Sequence, residues 1–209
     1  MLVHELLKEH TRFDLRDFLT TRSTSISKLN TFYLLTKGDT QLHGSFIKQE
    51  SKPLIDRPNE GIITFNCIIN NKRSDKLTNI IYKIFLNQKS IDLESLCLEF
   101  GKRVINLYVE LKFLNLDGNM YEPAIDLVNY MLNDLQIEIN FFPRCFYFVI
   151  FNDIIIRDPT EKEDQIKELY YLFVLKSKNE FIFIEKIGIE NEIDDLYQIM
   201  DIVSHNFDN

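Results

Sequence analysis

The sequence predicts an α+β protein, because strand-like and helix-like stretches come in separate blocks along the chain. Apolar residues from Ile105 to Phe113 occupy every second position, which is the period of a strand with one buried face. Between Leu77 and Phe85 they recur at spacings of three and four, the period of an amphipathic helix. No linker rich in proline or glycine divides the 209 residues. We therefore expect one α+β domain over residues 1–209.

The N-terminal half is predicted to begin with a short helix or arm over residues 1–10, followed by several strands. A Lys-Gly-Asp turn at 37–39 lies between two strand-like stretches and indicates a hairpin. The amphipathic helix then covers residues 75–88. Ser74 or Asp75 is suited to cap it, because a short polar side chain can accept a hydrogen bond from the first free N–H groups of a helix.

The C-terminal half is predicted to contain strand pairs between two helices. The first helix follows a turn at 117–119, and its apolar stripe is formed by Ala124, Leu127, Val128, Met131, Leu132 and Leu135. Two buried strands joined at Asn152-Asp153 come next, and a hairpin follows around 176–180. The closing helix has a stripe formed by Ile193, Leu196, Ile199, Met200 and Val203.

Composition and charge exclude several classes of protein. A hydrophobic content of 45% is enough for a substantial core. The longest apolar runs, such as 145–151, are far shorter than the ~20 residues that cross a bilayer. The charged N-terminus lacks the continuous apolar stretch of a signal peptide, so we expect a soluble intracellular protein. A net charge of −8 argues against gripping nucleic acid over the whole surface and leaves room only for a local basic track.

The cysteines and histidines do not indicate a metal site or a disulfide framework. Both sets are scattered: Cys67, Cys97 and Cys145, and His4, His10, His43 and His205. No Cys-x-x-Cys pair is present, and no two histidines stand at ligand spacing. The cysteines lie in apolar stretches, which favours buried thiols over a reactive nucleophile. We expect no metal and no cofactor.

Four segments resemble RNase PH-like proteins, in the same order along the chain. The segment "LLKEHTRFDLRDF" resembles an Arg-x-Asp-Gly-Arg opening, carried here by Arg12, Asp14 and Arg16, with Leu15 in place of the glycine. The segments "GSFIKQESKPLIDRPNEGIITFNCII" and "IDLESLCLEFGKRVINLYVELKFLNLDGN" resemble the middle of these proteins, and "FNDIIIRDPTEKED" resembles a later hairpin. Within the family, the chain is similar to the ring subunits of the eukaryotic RNA exosome.

The resemblance implies an RNase PH-like fold, of the type also called ribosomal protein S5 domain 2-like. It implies a non-catalytic subunit of a six-membered ring that supports 3′–5′ RNA processing and degradation in the nucleus, including the nucleolus, and the cytoplasm. The implied partners are other RNase PH-like subunits, RNA-binding cap subunits, a separate hydrolytic exonuclease and RNA threaded through the pore. The alternative is an active phosphate-dependent 3′–5′ exoribonuclease. A third possibility is an adaptor derived from the same family that acts outside the exosome.

The turn at 117–119 distinguishes a non-catalytic subunit from an active exoribonuclease. The resemblance implies that active relatives have Gly-Gly-Thr-Arg at this turn. Its N–H groups, hydroxyl and guanidinium bind the attacking phosphate. Residues 118–122 here read Gly-Asn-Met-Tyr-Glu, without the threonine and arginine and with a carboxylate that would repel phosphate. We therefore interpret Asp117-Gly118-Asn119 as a turn between a strand and a helix.

Asp158 and Asp164 resemble the acidic pair of catalytic family members. Such carboxylates act as a general acid or position a metal ion, which requires bound phosphate and RNA. In the structural alternative, Pro159 and Thr160 shape a turn before a helix from about Glu161, and the acidic residues offset the dipole of that helix. The missing phosphate loop favours the structural alternative.

A small basic cluster is the candidate for contact with RNA. Lys72, Arg73 and Lys76 can reach an RNA backbone, although a solvated helix start explains them equally well. Three other basic residues are weaker candidates: Arg22, Lys52 and Arg57.

Overall fold

The computed structural model describes residues 2–188 and 193–207. Their contacts group into two compact units. The seven-stranded unit is formed by residues 24–115 and 123–143, and the four-stranded unit by residues 1–23, 116–122 and 144–209. The single domain over 1–209 stays a prediction.

The seven-stranded unit is built on one mixed sheet. Its strands are Thr24–Leu29 (β1), Phe32–Lys37 (β2), Thr40–Ser51 (β3), Ile62–Ile69 (β4), Lys72–Arg73 (β5), Cys97–Glu99 (β6) and Arg103–Asn115 (β7). Six of them lie in the order β1-β2-β3-β7-β4-β5, and β6 pairs with β7. β4 runs parallel to β7, whereas the other pairs are antiparallel. β7 is therefore a central strand.

One face of this sheet is buried, because alternate residues of its long strands are apolar and point to the same side. Leu107 and Leu111 of β7, for example, are fully buried. The helices of this unit are Asp75–Tyr82 (α2) and Tyr121–Asp134 (α3), of which α3 contributes all but its first two residues. A Cβ at Gly44 in β3 would come within 2.7 Å of the Met131 sulfur and 2.9 Å of Leu127. Helix α3 consequently rests directly on the strand backbone.

The four-stranded unit contains an antiparallel sheet in the order β11-β10-β8-β9. Its elements are Leu2–Lys8 (α1), Arg144–Phe151 (β8), Ile154–Arg157 (β9), Glu161–Gln165 (α4), Leu169–Ser177 (β10), Glu180–Gly188 (β11) and Ile193–His205 (α5). The core joins Phe148 and Phe173 of the sheet to Ile199 and Val203 of α5. None of the described helices is long and apolar enough to cross a membrane.

The α+β class and most of the predicted element order are confirmed. The three hairpins predicted at 37–39, Asn152-Asp153 and 176–180 are present. The helix predicted over 75–88 is α-helical to Tyr82 and continues as a π-helical turn. Ser74 caps it, since its hydroxyl oxygen accepts the N–H of Leu77 over 3.4 Å.

Three short strands, β1, β5 and β6, were not predicted, and β5 changes the setting of the basic cluster. β1 is an edge strand whose residues are mostly exposed, so it lacks an apolar alternation. β5 follows a tight turn in which Asn70 and Asn71 have φ values of +51° and +59°. Lys72 and Arg73 therefore lie in a hairpin arm just before α2.

Candidate functional site

The tripeptide Asp117-Gly118-Asn119 forms a tight turn against Pro159. Gly118 has a φ of +79°, a left-handed conformation that favours glycine. A Cβ at this position would come within 2.2 Å of the Pro159 carbonyl oxygen. The N–H of Asn119 donates to the same oxygen over 3.4 Å. The turn is thus packed against backbone and has no room for a larger central residue.

The two polar residues of the turn cap two different helices. Asn119 Oδ1 accepts the N–H groups of Tyr121 and Glu122, over 3.1 and 3.3 Å, at the start of α3. Asp117 Oδ1 accepts the N–H of Glu161, over 2.7 Å, at the start of α4. Free N–H groups at a helix start are what binds an anion. Here these three are occupied by the protein's own side chains, in agreement with the predicted structural turn.

Glu122 brings a carboxylate into the first turn of α3. It is buried, and its Oε1 accepts the N–H of Tyr147 over 2.9 Å. A buried negative charge at this place opposes the binding of a phosphate ion, as its position in the sequence predicts.

Asp158 is fully buried and surrounded by donors. Its carboxylate accepts hydrogen bonds of 2.9 Å from the backbone N–H, Nε and Nη2 of Arg22, and of 3.2 Å from Arg16 Nη1 and Asn119 Nδ2. Its backbone has a φ of +48°. Because these donors stabilise the ionised form, the carboxylate is held as a structural anion.

Arg22 joins Asp158 to the turn. Its Nη1 donates to Asp117 Oδ2 over 2.6 Å. Burial by itself lowers the pKa of Arg22, but the hydrogen bond and charge of Asp158 raise it by more, so the pKa lies above its ordinary value. The Arg22 side chain is only 9% exposed. The structure therefore places this weaker RNA candidate inside a charged network.

Arg12 connects the N-terminal segment to α4. Its Nε and Nη2 donate to the two carboxylate oxygens of Glu163, over 2.9 and 2.7 Å, and neither side chain is exposed. Its guanidinium group also donates to the carbonyl oxygens of Arg157 and Asp158, each over 3.1 Å. Glu163 completes a capping box with Thr160. Arg12 is thus a structural residue.

The next residues of the segment support the same network. Arg16 Nε donates to Asp14 Oδ2 over 2.6 Å. Burial raises the pKa of Asp14, but the hydrogen bond from Arg16 and the charge of Arg12 lower it by more, so the pKa lies below its ordinary value. Leu15 between them has a φ of +61° and is 83% exposed. This left-handed backbone explains why the family resemblance has glycine at that place.

Asp164 has its own partners. The Tyr147 hydroxyl donates to its Oδ1 over 2.7 Å, and Lys167 Nζ lies 2.6 Å from its Oδ2. Burial and the adjacent charge of Asp164 raise the pKa of Tyr147 well above its ordinary value. The rings of Tyr121 and Tyr170 pack on Tyr147, with centroids 5.2 and 5.5 Å away. Asp164 is therefore fixed beside a buried tyrosine cluster.

The charged cluster, as we call this network, consists of Arg12, Asp14, Arg16, Arg22, Asp117, Asp158 and Glu163, together with Glu122, whose charge acts on Arg22. Its carboxylates outnumber its guanidinium groups, so it carries no surplus positive charge for a phosphate substrate. Over residues 2–188 and 193–207, no group of three or more His, Cys, Asp or Glu side chains is placed to hold a metal ion.

The predicted basic cluster lies elsewhere, in the seven-stranded unit. Lys72, Arg73 and Lys76 are exposed at the β5 hairpin and the first turn of α2. Arg73 Nε lies 2.8 Å from Asp75 Oδ1, which neutralises part of the cluster. Contact between these residues and RNA stays a prediction. Two weaker candidates, Lys52 and Arg57, are exposed in the loop before β4, where Arg57 lies 3.6 Å from Glu60.

The sequence did not indicate the pairing of Arg22 with Asp117 and Asp158, or the burial of Tyr147 against Asp164. The partners are distant in sequence: Arg22 and Asp158 are 136 positions apart. The one available signal for capping was the pair of short polar residues beside Gly118, because Asp and Asn accept hydrogen bonds from nearby backbone.

Comparison with known proteins identifies relatives among exosome components. A scan against models of protein families gave no match. Exosome complex component RRP45 of Bos taurus is 25% identical in an alignment that covers 87% of this chain and 50% of the relative. Exosome complex component Rrp42 of Methanopyrus kandleri is 24% identical, with coverage of 88% and 84%. The chain spans about half the length of the RRP45 relatives it matches.

Solved structures confirm the fold. An archaeal exosome core superposes with a TM-score of 0.82 at 19% identity, covering 98% of this chain and 91% of the other. Rice Rrp46 gives 0.74 at 16% identity, with coverage of 94% and 96%. The chain thus has the predicted RNase PH-like fold, and its resemblance to exosome ring subunits is confirmed. The motifs predict ribosomal RNA-processing protein forty-three as first choice and the type numbered forty-five as second. RRP45 is among the relatives found, and the first choice stays a prediction.

Proposed function

We propose that this RNase PH-like chain is a non-catalytic subunit of an RNA exosome core ring, which supports 3′–5′ RNA processing and degradation by a separate exonuclease. One observation carries the proposal: the turn that would hold phosphate in active relatives is filled by the chain's own side chains. Asn119 occupies the N–H groups at the start of α3. A phosphate ion would have to displace Asn119 and would be repelled by the buried Glu122.

The acidic pair supports the same conclusion. A general acid must exchange a proton with the reacting group, and Asp158 is held as an anion by Arg22, Arg16 and Asn119. Asp164 is engaged by Tyr147 and Lys167. Both carboxylates therefore have structural roles that require no substrate.

The relatives named exosome complex component support the proposed partners. These are other RNase PH-like subunits in a hexameric ring, RNA-binding cap subunits, a hydrolytic exonuclease and RNA in the pore. The proposed locations are the nucleus, with the nucleolus, and the cytoplasm. Lys72, Arg73 and Lys76 are the residues proposed to face RNA, and no cofactor is required.

A phosphorolysis assay tests the absence of catalysis. The purified chain is incubated with single-stranded RNA and inorganic phosphate, and nucleoside diphosphates are measured. We expect none to be released. Phosphate-dependent release that is lost in Asp164→Asn would establish the alternative, an active exoribonuclease; this partly exposed carboxylate is a safer control than the buried Asp158.

Co-expression tests the ring role. We expect the chain to co-purify with the other RNase PH-like subunits of its own cell and to self-associate when it is expressed alone. The physical reason is that β1 and β11 end their sheets among the described residues, and Ile184 and Ile187 are about half exposed on β11. A stable monomer at high concentration that binds none of these subunits would contradict the proposal.

A further inference from the structure

The face of the seven-stranded sheet opposite its buried side carries a shallow pocket of about 270 Å³. Its lining residues are Ile47, Gln49, Thr64, Asn106 and Tyr108. They lie on three adjacent strands, β3, β7 and β4. Along β7 the lining residues alternate with buried ones such as Leu107, so their side chains emerge on the outer face.

Strand pairing brings these side chains together. Gln49 pairs with Asn106, and Ile47 with Tyr108, between β3 and β7. Thr64 pairs with Tyr108 between β4 and β7. Directly paired residues have Cβ atoms about 4.5–5.5 Å apart, so the polar groups converge on one small volume. Because β7 has a strand on each side, hydrogen bonds of the sheet hold this arrangement in place.

The pocket is neutral and rich in available hydrogen-bonding groups. Two amides, a hydroxyl and a phenol line it, and these four side chains make no hydrogen bond within the described part of the chain. No charged residue lines the pocket. Tyr108 adds an aromatic ring, and Ile47 adds an apolar side chain that is 55% exposed.

We propose that this pocket binds a nucleobase, with adenine preferred. Asn and Gln amides can each make paired hydrogen bonds to the adenine edge, and unstacked RNA bases are commonly read by edge contacts and aromatic stacking. The volume lies below the ~300 Å³ at which sites for drug-sized ligands begin, which fits one flat ring system. The assignment of the base to RNA rests on the proposed function, whereas binding of the base itself does not.

A protein partner fits this pocket less well. The centre of a protein interface is usually apolar and aromatic, with few unsatisfied polar groups. Here Gln49, Thr64 and Asn106 lie side by side, and each would lose contact with water beneath an apolar partner. A ligand with complementary donors and acceptors in one plane satisfies them better.

Titration of the full chain with adenosine, followed through the NMR signals of the adenosine, tests the pocket without phosphate and without ring assembly, and it tolerates self-association of the chain. We expect saturable binding, weaker binding of cytidine, and a loss of roughly tenfold in Gln49→Leu and in Asn106→Leu. Tyr108→Ala should weaken binding at least about fivefold through lost stacking. Gln41→Leu is the matched control, because Gln41 is exposed on β3 outside the pocket.

Several outcomes overturn the proposal. These are absence of saturable adenosine binding by the folded chain, binding unaffected in both amide variants, and an equal loss in Gln41→Leu. An adenine-only RNA oligomer should bind with a salt slope that Asn106→Leu leaves unchanged, because the contact is uncharged. A ring that no longer assembles with Gln49→Arg would identify a protein interface and also overturn it. A chain that joins no ring but binds adenosine would remove the proposed function and leave the pocket established.

Discussion

Replacing Glu163 by glutamine should destabilise the protein by about 3–5 kcal/mol, because it leaves the buried Arg12 guanidinium group without the carboxylate to which it is hydrogen-bonded. In the wild-type protein the two side chains share hydrogen bonds of 2.9 and 2.7 Å. The Glu163 carboxylate also accepts the N–H and hydroxyl groups of Thr160. Glutamine has nearly the same size, but whichever way its amide is turned, an NH₂ group faces an N–H of Arg12.

This magnitude is large for one substitution of a similar shape. A hydrogen bond to a charged group contributes about 1.5–3 kcal/mol; Glu163→Gln removes one of the two to Arg12 and leaves the other with an uncharged acceptor. Total stability of a domain is only about 5–15 kcal/mol. We therefore expect Glu163→Gln to lower the urea concentration at the midpoint of unfolding substantially.

Urea unfolding followed by circular dichroism measures the effect. Glu161→Gln is the matched control, because it makes the same change on an exposed residue of α4 and should alter stability by less than about 0.5 kcal/mol. The double variant Arg12→Met with Glu163→Gln should be less destabilised than the sum of the single variants, because no buried charge is left unpaired. Equal midpoints for Glu163→Gln and Glu161→Gln would refute the reasoning.

Other predictions concern the strained backbone, the basic cluster and the buried tyrosine. Leu15→Gly should raise the free energy of unfolding by about 1 kcal/mol, because relief of the left-handed backbone strain exceeds the entropy that glycine adds to the unfolded chain. Leu15→Ala keeps the Cβ atom and should show no such gain in the same urea experiment. Arg73→Glu should weaken RNA binding by the assembled ring and lower the salt slope by about one unit, with assembly intact; identical slopes would show that the cluster is only solvated. Because the pKa of Tyr147 is raised in the folded state, stability should hold below the ordinary value of 10.0 and fall as pH rises above it. Tyr147→Phe should flatten this fall in unfolding free energies measured across alkaline pH, and an unchanged slope would contradict the assignment.

Local periodicity predicted the elements whose residues divide into a buried and an exposed side. β7 is the clearest case, because it is a central strand with one buried face, which imposes the alternation. β1 gave no such signal, since an edge strand that is exposed on both sides is held by backbone hydrogen bonds, which any residue can make. The π-helical turn at Lys83–Asn87 also had no signal, because it keeps Ile84 and Phe85 buried as an α-helix would.

The candidate site was only partly predictable for a different reason. The turn residues could be recognised from glycine between short polar side chains. Which N–H groups they cap could not, because Asp117 reaches a helix that starts 44 positions later. The functions of Arg12 and Arg22 likewise depend on partners that folding brings near, and charge alone does not distinguish a buried structural arginine from one that faces RNA.

The double capping at residues 117–119 limits how this chain can evolve. Removing the Asn119 side chain would free two N–H groups for an anion and leave Glu122 in place. It would also remove the cap of α3, which lowers the stability of the protein by about 0.5–2 kcal/mol. Replacing Glu122 first would leave the N–H of Tyr147 without its acceptor. Each of these two substitutions would therefore lower folding stability, so stability alone favours keeping the present turn.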